Sequence, residues 1–194
     1  GMNESDFTTG YESRIGYQFG VTADVRLSDR FYLQPELLFT NLGAKHSESE
    51  QGYSSKETVS LNYLQLPIQA SLRFALSDKV QWHLNAGPYL GLGLGGKIKY
   101  EETYQGDTDT YKIKAFGMTP EDAEDDDDVR GGLRRFNMGL TFGTGFSFGK
   151  VYVGVNYDLG LTNMLHKDMI AADGDMEDYA YGSRNLAVSV GFRF

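Results

Sequence analysis

Few side chains in this 194-residue chain could do covalent chemistry. There are three histidines, His46, His83 and His166, and no cysteine. A hydrolytic or acyl-transfer set needs a hydroxyl or thiol beside an imidazole that a carboxylate orients. Ser47 adjoins His46, and Asp168 follows closely on His166, so both histidines lie in polar stretches beside the right partners. Their spacing matches no nucleophile–base–acid pattern, and the sequence reads as non-enzymatic. Without cysteine there is no thiolate nucleophile, thiolate metal site or disulfide framework. The run Glu121-Asp122-Ala123-Glu124-Asp125-Asp126-Asp127-Asp128 offers hard oxygens that suit Ca²⁺. It lacks an EF-hand's ligand spacing and turn glycine, so it reads as a solvated acidic loop. The acidic stretch from Asp168 to Asp178 reads the same way. No glycine-rich phosphate loop and no metal-ligand pattern appears, and no cofactor is expected.

A second set of charges needs the elements that carry it. Apolar residues recur at every second position in seven segments, at about 14–27, 31–43, 58–74, 80–100, 133–148, 151–162 and 185–194. Successive side chains of a strand point to opposite faces, so each segment predicts a strand with one apolar face. In the first, Tyr17, Phe19 and Val21 alternate with Gln18, Gly20 and Thr22. In the fourth, Trp82, Leu84, Ala86 and Pro88 alternate with His83, Asn85, Gly87 and Tyr89. Asp24, Glu36 and Asp158 then share the polar faces with Arg26, Arg73 and Arg193. Those faces also carry glycines at 87, 91, 93, 139, 143, 145 and 154, which leave room for Tyr32, Tyr63, Tyr89 and Tyr152. Charges held out of water must be paired, so these six are expected to form ion pairs that plug a narrow lumen. A gated conduction path is the alternative. His83 is expected inside as a hydrogen-bonded residue.

The connections alternate. Ser28-Asp29-Arg30, Ser77-Asp78-Lys79 and Gly149-Lys150 are tight turns, and Leu27-Ser28-Asp29-Arg30 nearly repeats as Leu76-Ser77-Asp78-Lys79. Between them run long polar loops of roughly 15, 30 and 20 residues, the layout of transmembrane barrels. Residues 97–116 are expected to lengthen strands above the membrane rather than to add a hairpin to the wall. Phe31, Phe74, Trp82, Phe148 and Phe194 lie beside the short turns on the apolar faces, as interfacial aromatics would. Phe39 lies eight residues beyond Phe31, roughly 20 Å of height at about 3.3 Å per residue and a tilt near 40°.

The acidity, a net charge of −9, argues against nucleic-acid binding. No run of 18 apolar residues exists to form a transmembrane helix, but barrel strands spend only alternate residues on lipid. Gly1 ahead of Met2 is read as a tag remnant, with the export signal removed. Pro35, Pro67 and Pro88 fall within strands, where each removes a ladder donor, and bulges are expected there. Seven strands is an odd count, whereas single-chain bacterial barrels have an even one. An eighth strand is therefore expected either ahead of residue 1 or as a short irregular strand within residues 1–10.

Tyr63-Leu64-Gln65-Leu66-Pro67-Ile68 followed by Arg73-Phe74, together with Leu33-Gln34-Pro35-Glu36-Leu37, Ala86-Gly87-Pro88-Tyr89-Leu90-Gly91 and the closing Gly191-Phe192-Arg193-Phe194, resembles the PorT-like outer-membrane β-barrel family. These stretches stand in the family's order and cover nearly the whole chain. The resemblance implies an eight-stranded barrel without a catalytic motif. It also implies that Gly1-Met2-Asn3 ends the opening strand, and that Phe194 is the C-terminal aromatic read by the barrel-insertion machinery.

The expectation is thus a single domain, 1–194, all-β, an antiparallel up-and-down transmembrane barrel. It would be a non-enzymatic scaffold in the bacterial outer membrane, with lipid around it, acidic extracellular loops and a sealed lumen. A narrow pore and loop-mediated binding are the alternatives within that fold. The rival fold is a soluble calycin-like barrel, which would place apolar residues inside and polar ones outside.

Overall fold

The computed structural model describes residues 2–7, 12–50, 53–104, 107–117, 119, 130–163 and 183–192. They form eleven β-strands: β1 (Met2–Phe7), β2 (Glu12–Thr22), β3 (Val25–Arg26), β4 (Phe31–Glu50), β5 (Tyr53–Ala75), β6 (Val80–Tyr104), β7 (Asp107–Phe116), β8 (Arg130–Leu133), β9 (Phe136–Phe148), β10 (Val151–Gly160) and β11 (Ser183–Phe192). Antiparallel ladders join β1–β2–β4–β5–β6–β9–β10–β11, and β11 pairs back onto β1. The wall is therefore a closed ring of eight strands, with β3 continuing β2 beside β4. The eighth strand is β1, six residues long, which pairs Met2 with Val188 and Phe7 with Ser183.

The short turns form as their residue types dictate. Leu27 N and Ser28 N both donate to Phe31 O, and Leu76 N and Ser77 N both donate to Val80 O. The near-repeated sequences thus make the same turn twice. Gly149 enters its two-residue turn at φ +60°, a conformation that glycine takes without a Cβ penalty.

At the opposite end β4, β5 and β6 run 20, 23 and 25 residues, far beyond a membrane's thickness. Residues expected as polar loop continue as ladder instead, with Ala44 opposite Val59 and Glu57 opposite Tyr100. β7 folds back on the projecting end of β6, from Tyr104–Asp107 to Lys97–Lys114, and pairs in parallel with β8. Residues 97–116 therefore lengthen β6 and add a hairpin that stays out of the eight-stranded ring.

The prolines are not bulges. The ladders keep their register across Pro35, Pro67 and Pro88, and only individual bridges are missing beside them. The register shifts fall elsewhere, between Ser13 and Tyr17 in β2 and at Asn62/Tyr63, where Leu94 is the extra residue of β6. Near Pro88, which cannot donate, the Ile68 carbonyl oxygen lies where a Cβ on Gly87 would be. Gly87 lets the two strands stay close without that hydrogen bond.

The barrel is polar inside and apolar outside. Gln65, Gln69, Ser71, His83, Asn85, Asn137 and Thr141 are buried, while Phe19, Val21, Leu92, Phe148 and Val190 are exposed. An apolar girdle of this extent far exceeds what a water-soluble surface carries. The arrangement is the reverse of what the calycin-like rival requires.

Candidate functional site

The polar faces of the strands meet in the barrel interior, where a short alternation of small and large residues sets the packing. Tyr152 reaches across to Gly145 and Gly154, Tyr89 to Gly139, and Tyr63 to Gly91. A Cβ on Gly145 would lie 2.5 Å from the Tyr152 hydroxyl, so the glycine is what admits the ring. The ring of His83 lies edge-on to Tyr152, with centroids 5.3 Å apart, and its Nε2 is 2.9 Å from Ser147 Oγ.

Among the described residues, one ion pair sits in this interior. Arg73 Nη2 donates to Asp24 Oδ1 at 2.6 Å, and Gln34 Nε2 donates to the same oxygen at 2.8 Å. The Arg73 guanidinium also stacks 3.9 Å over the Tyr32 ring. The remaining acids take amide partners. Gln69 Nε2 donates to Glu36 Oε1 at 3.1 Å, and Asn185 Nδ2 donates to Asp158 Oδ2 at 3.0 Å. A carboxylate needs donors rather than a cation as such, and amides on neighbouring strands supply them.

Arg26 departs from the expectation. It pairs with Asp29 at 2.6 Å on the short turn, with its side chain 61% exposed. It is the last residue of β3, where a long side chain reaches water more readily than it is buried. Arg193 and Phe194 lie outside the described residues.

Above the polar interior lies a layer that sequence reading missed. Leu42, Ala44, Val59, Leu61, Tyr63, Ile98, Ala115 and Phe116 form a buried apolar cluster at the projecting end. Phe116, carried in by β7, meets Tyr63 edge-on at 5.6 Å and fills the space over Gly93, where a Cβ would approach its ring to 2.5 Å. Arg135 holds the adjoining edge by donating to Gly93 O at 3.0 Å. The signal was available as a run of apolar residues on the inward parity of β4 and β5. The contribution of β7 required knowing where the hairpin folds.

On the outer face, Phe31, Phe74, Trp82 and Phe148 all stand beside the short turns. Phe74 and Trp82 lie 5.5 Å apart, and Trp82 Nε1 donates to Thr144 Oγ1 at 2.8 Å. The hydrolytic grouping is not assembled by β4. His46 and Ser47 are consecutive in that strand and point to opposite faces. His166, Asp168 and the acidic run 121–128 lie outside the described residues. Among the described residues no three His, Asp or Glu side chains gather as a metal site would need.

No curated protein matches the chain. Among solved structures, the attachment invasion locus protein Ail of Yersinia pestis aligns over all of this chain and 92% of its own, at 10% identity and a TM-score of 0.33. The family described as outer membrane protein beta-barrel domain matches residues 1–166, which span the wall from β1 through β10. With its polar interior, apolar girdle and closed eight-stranded ring, the chain belongs to the outer membrane protein β-barrel domain family, and its place is the bacterial outer membrane.

Proposed function

We propose that this protein is a non-enzymatic scaffold whose lumen is sealed and whose work is to hold a projecting sheet above the outer leaflet. One observation carries the reading: an apolar cluster around Leu61, Tyr63 and Phe116, built by β4, β5, β6 and β7, stands at the projecting end of an interior in which Tyr89 and Tyr152 pack against glycines. An ion passing against these apolar side chains would lose hydration that they cannot replace. Below the cluster, Asp24–Arg73 and the amide–carboxylate pairs cross-link strands rather than line a free path. The finer likeness to PorT-like barrels agrees with a role that needs no catalytic group.

Single-channel recording of the refolded protein in planar bilayers tests this. The expected trace is silent. Discrete conductance steps that persist across preparations would replace the sealed scaffold with a narrow pore.

A further inference from the structure

The projecting sheet separates its charges by face. Cross-strand register puts Lys45, Thr58, Lys99 and Lys112 in one row across β4–β5–β6–β7. The row beneath it runs Gly43, Ser60, Lys97 and Lys114, and the row above runs Ser47, Lys56, Glu101 and Thr110. All these positions alternate with the buried Ala44, Val59, Ile98 and Ala115, so they share the outward face. Six of the chain's nine lysines thus stand on one face with a single carboxylate, in a protein of net charge −9. The sheet's acids Glu57, Glu102, Asp107 and Asp109 fall on the opposite parity.

Two features mark this face as a surface for an anion. Lys97 opposes Lys114 and Lys99 opposes Lys112 directly across the β6–β7 ladder, an arrangement that destabilises a sheet left to itself. Glu101 bonds Lys99 at 2.7 Å and lies 4.0 Å from Lys56. Among the described residues no carboxylate lies within ion-pair distance of Lys97, Lys112 or Lys114.

Depth then selects the anion. The outward apolar series of β6 ends at Leu94, and Lys97 comes three residues later. At about 3.3 Å per residue and a tilt near 40° that is roughly 8 Å above the girdle. The headgroup layer extends about 5–8 Å beyond the hydrocarbon on each side. Lys97 and Lys114 therefore sit at the top of that layer, and Lys99 and Lys112 stand one row higher. We infer that this lysine face binds the phosphate groups of outer-leaflet glycolipid headgroups. The inference rests on the membrane-spanning barrel and not on the sealing of its lumen.

The test uses the full chain refolded in neutral detergent micelles and titrated with diphosphorylated lipid A, with the dephosphorylated lipid and with inorganic phosphate. Diphosphorylated lipid A is expected to bind at least tenfold tighter than its dephosphorylated form, since one cation near an anionic surface is worth about fivefold. The K97Q/K99Q/K112Q/K114Q variant is expected to lose that preference, while K79Q/K150Q at the short turns keeps it. Heat-modifiable gel migration confirms that both variants are folded. Equal binding of the two lipids, an unchanged preference in the fourfold variant, or equally tight binding of inorganic phosphate would each overturn the inference. Should the fourfold variant fail to fold, single K97Q and K114Q variants carry the same test, with about a fivefold loss expected for each. A silent or a conducting barrel leaves these outcomes unaffected.

Discussion

The Asp24–Arg73 pair permits a prediction in which two substitutions break the same bond at different cost. The Arg73 side chain is 4% exposed and that of Asp24 is 27% exposed. Removing one partner of a buried pair costs about 3–5 kcal/mol, because the other charge is left without compensation. Asp24→Leu strands the guanidinium at the drier position, beside the Tyr32 ring and a long 3.5 Å contact to Ser71. It is expected to cost about 3–5 kcal/mol. Arg73→Met strands Asp24, but Gln34 still donates to its carboxylate and water reaches it. That cost is expected nearer 2 kcal/mol.

The double variant Asp24→Leu/Arg73→Met leaves no stranded charge. Replacing both partners by apolar groups is close to neutral, so its cost is expected below about 1.5 kcal/mol. The cycle then gives a coupling of roughly 3 kcal/mol or more. Urea unfolding of the vesicle-inserted protein measures it, and the single tryptophan, Trp82 on the wall strand β6, is the reporter. If the two single costs simply add in the double variant, or if Arg73→Met costs more than Asp24→Leu, the desolvation reasoning is wrong.

Other outcomes are checked with the same preparation. Gly87→Ala is expected to cost about 1–3 kcal/mol in urea unfolding, because its Cβ would meet backbone of Ile68 and Gln69 that cannot turn aside. Gly95→Ala, where a Cβ meets nothing within 4 Å, should be neutral or slightly stabilising. Trp82 fluorescence should be quenched more by lipids brominated near the carbonyl end than near the acyl terminus, as its place beside a short turn requires. Tyr100, on the projecting sheet, is pushed up to about 12, first by burial and then by the nearby Glu57 and Tyr111. A raised folded pKa means stabilisation that is full below the ordinary value near 10 and is lost as pH rises through 12. The difference in alkaline absorbance between the wild type and Tyr100→Phe should therefore show this tyrosine ionising after the exposed ones.

Much of the wall was legible because lipid and lumen impose opposite demands on alternate residues. Phe136, Met138 and Leu140 against Asn137, Gly139 and Thr141 leave little choice of strand or face. The projecting sheet was harder to read. In Ser54–Ser60 both faces are largely polar, so the period-two signal fades although Thr58 and Val59 still suit a strand. The lumen partners were partly legible. The parity of Asp24 and Arg73 put them on one face, but it could not say that Gln69 rather than an arginine serves Glu36. That choice depends on cross-strand neighbours, which follow from register and not from one strand's sequence.

The bulge in β6 shows how much turns on a single residue. Up to Gly93 the odd-numbered residues of β6 face the lumen; beyond Gly95 the even-numbered ones do. Strict alternation through Gly91-Leu92-Gly93-Leu94-Gly95-Gly96 would have sent Lys97 and Lys99 toward the barrel axis and Ile98 and Tyr100 toward the outside. The extra residue, Leu94, reverses this. Ile98 then joins the apolar cluster with Leu61 and Phe116, and the lysines turn outward. Gly96 makes the reversal possible, since a Cβ there would press on Leu61 and on Ser60 O. The same local irregularity thus turns Ile98 into the apolar cluster and Lys97 and Lys99 to the outward face. Neither arrangement would survive a one-residue shift in that strand.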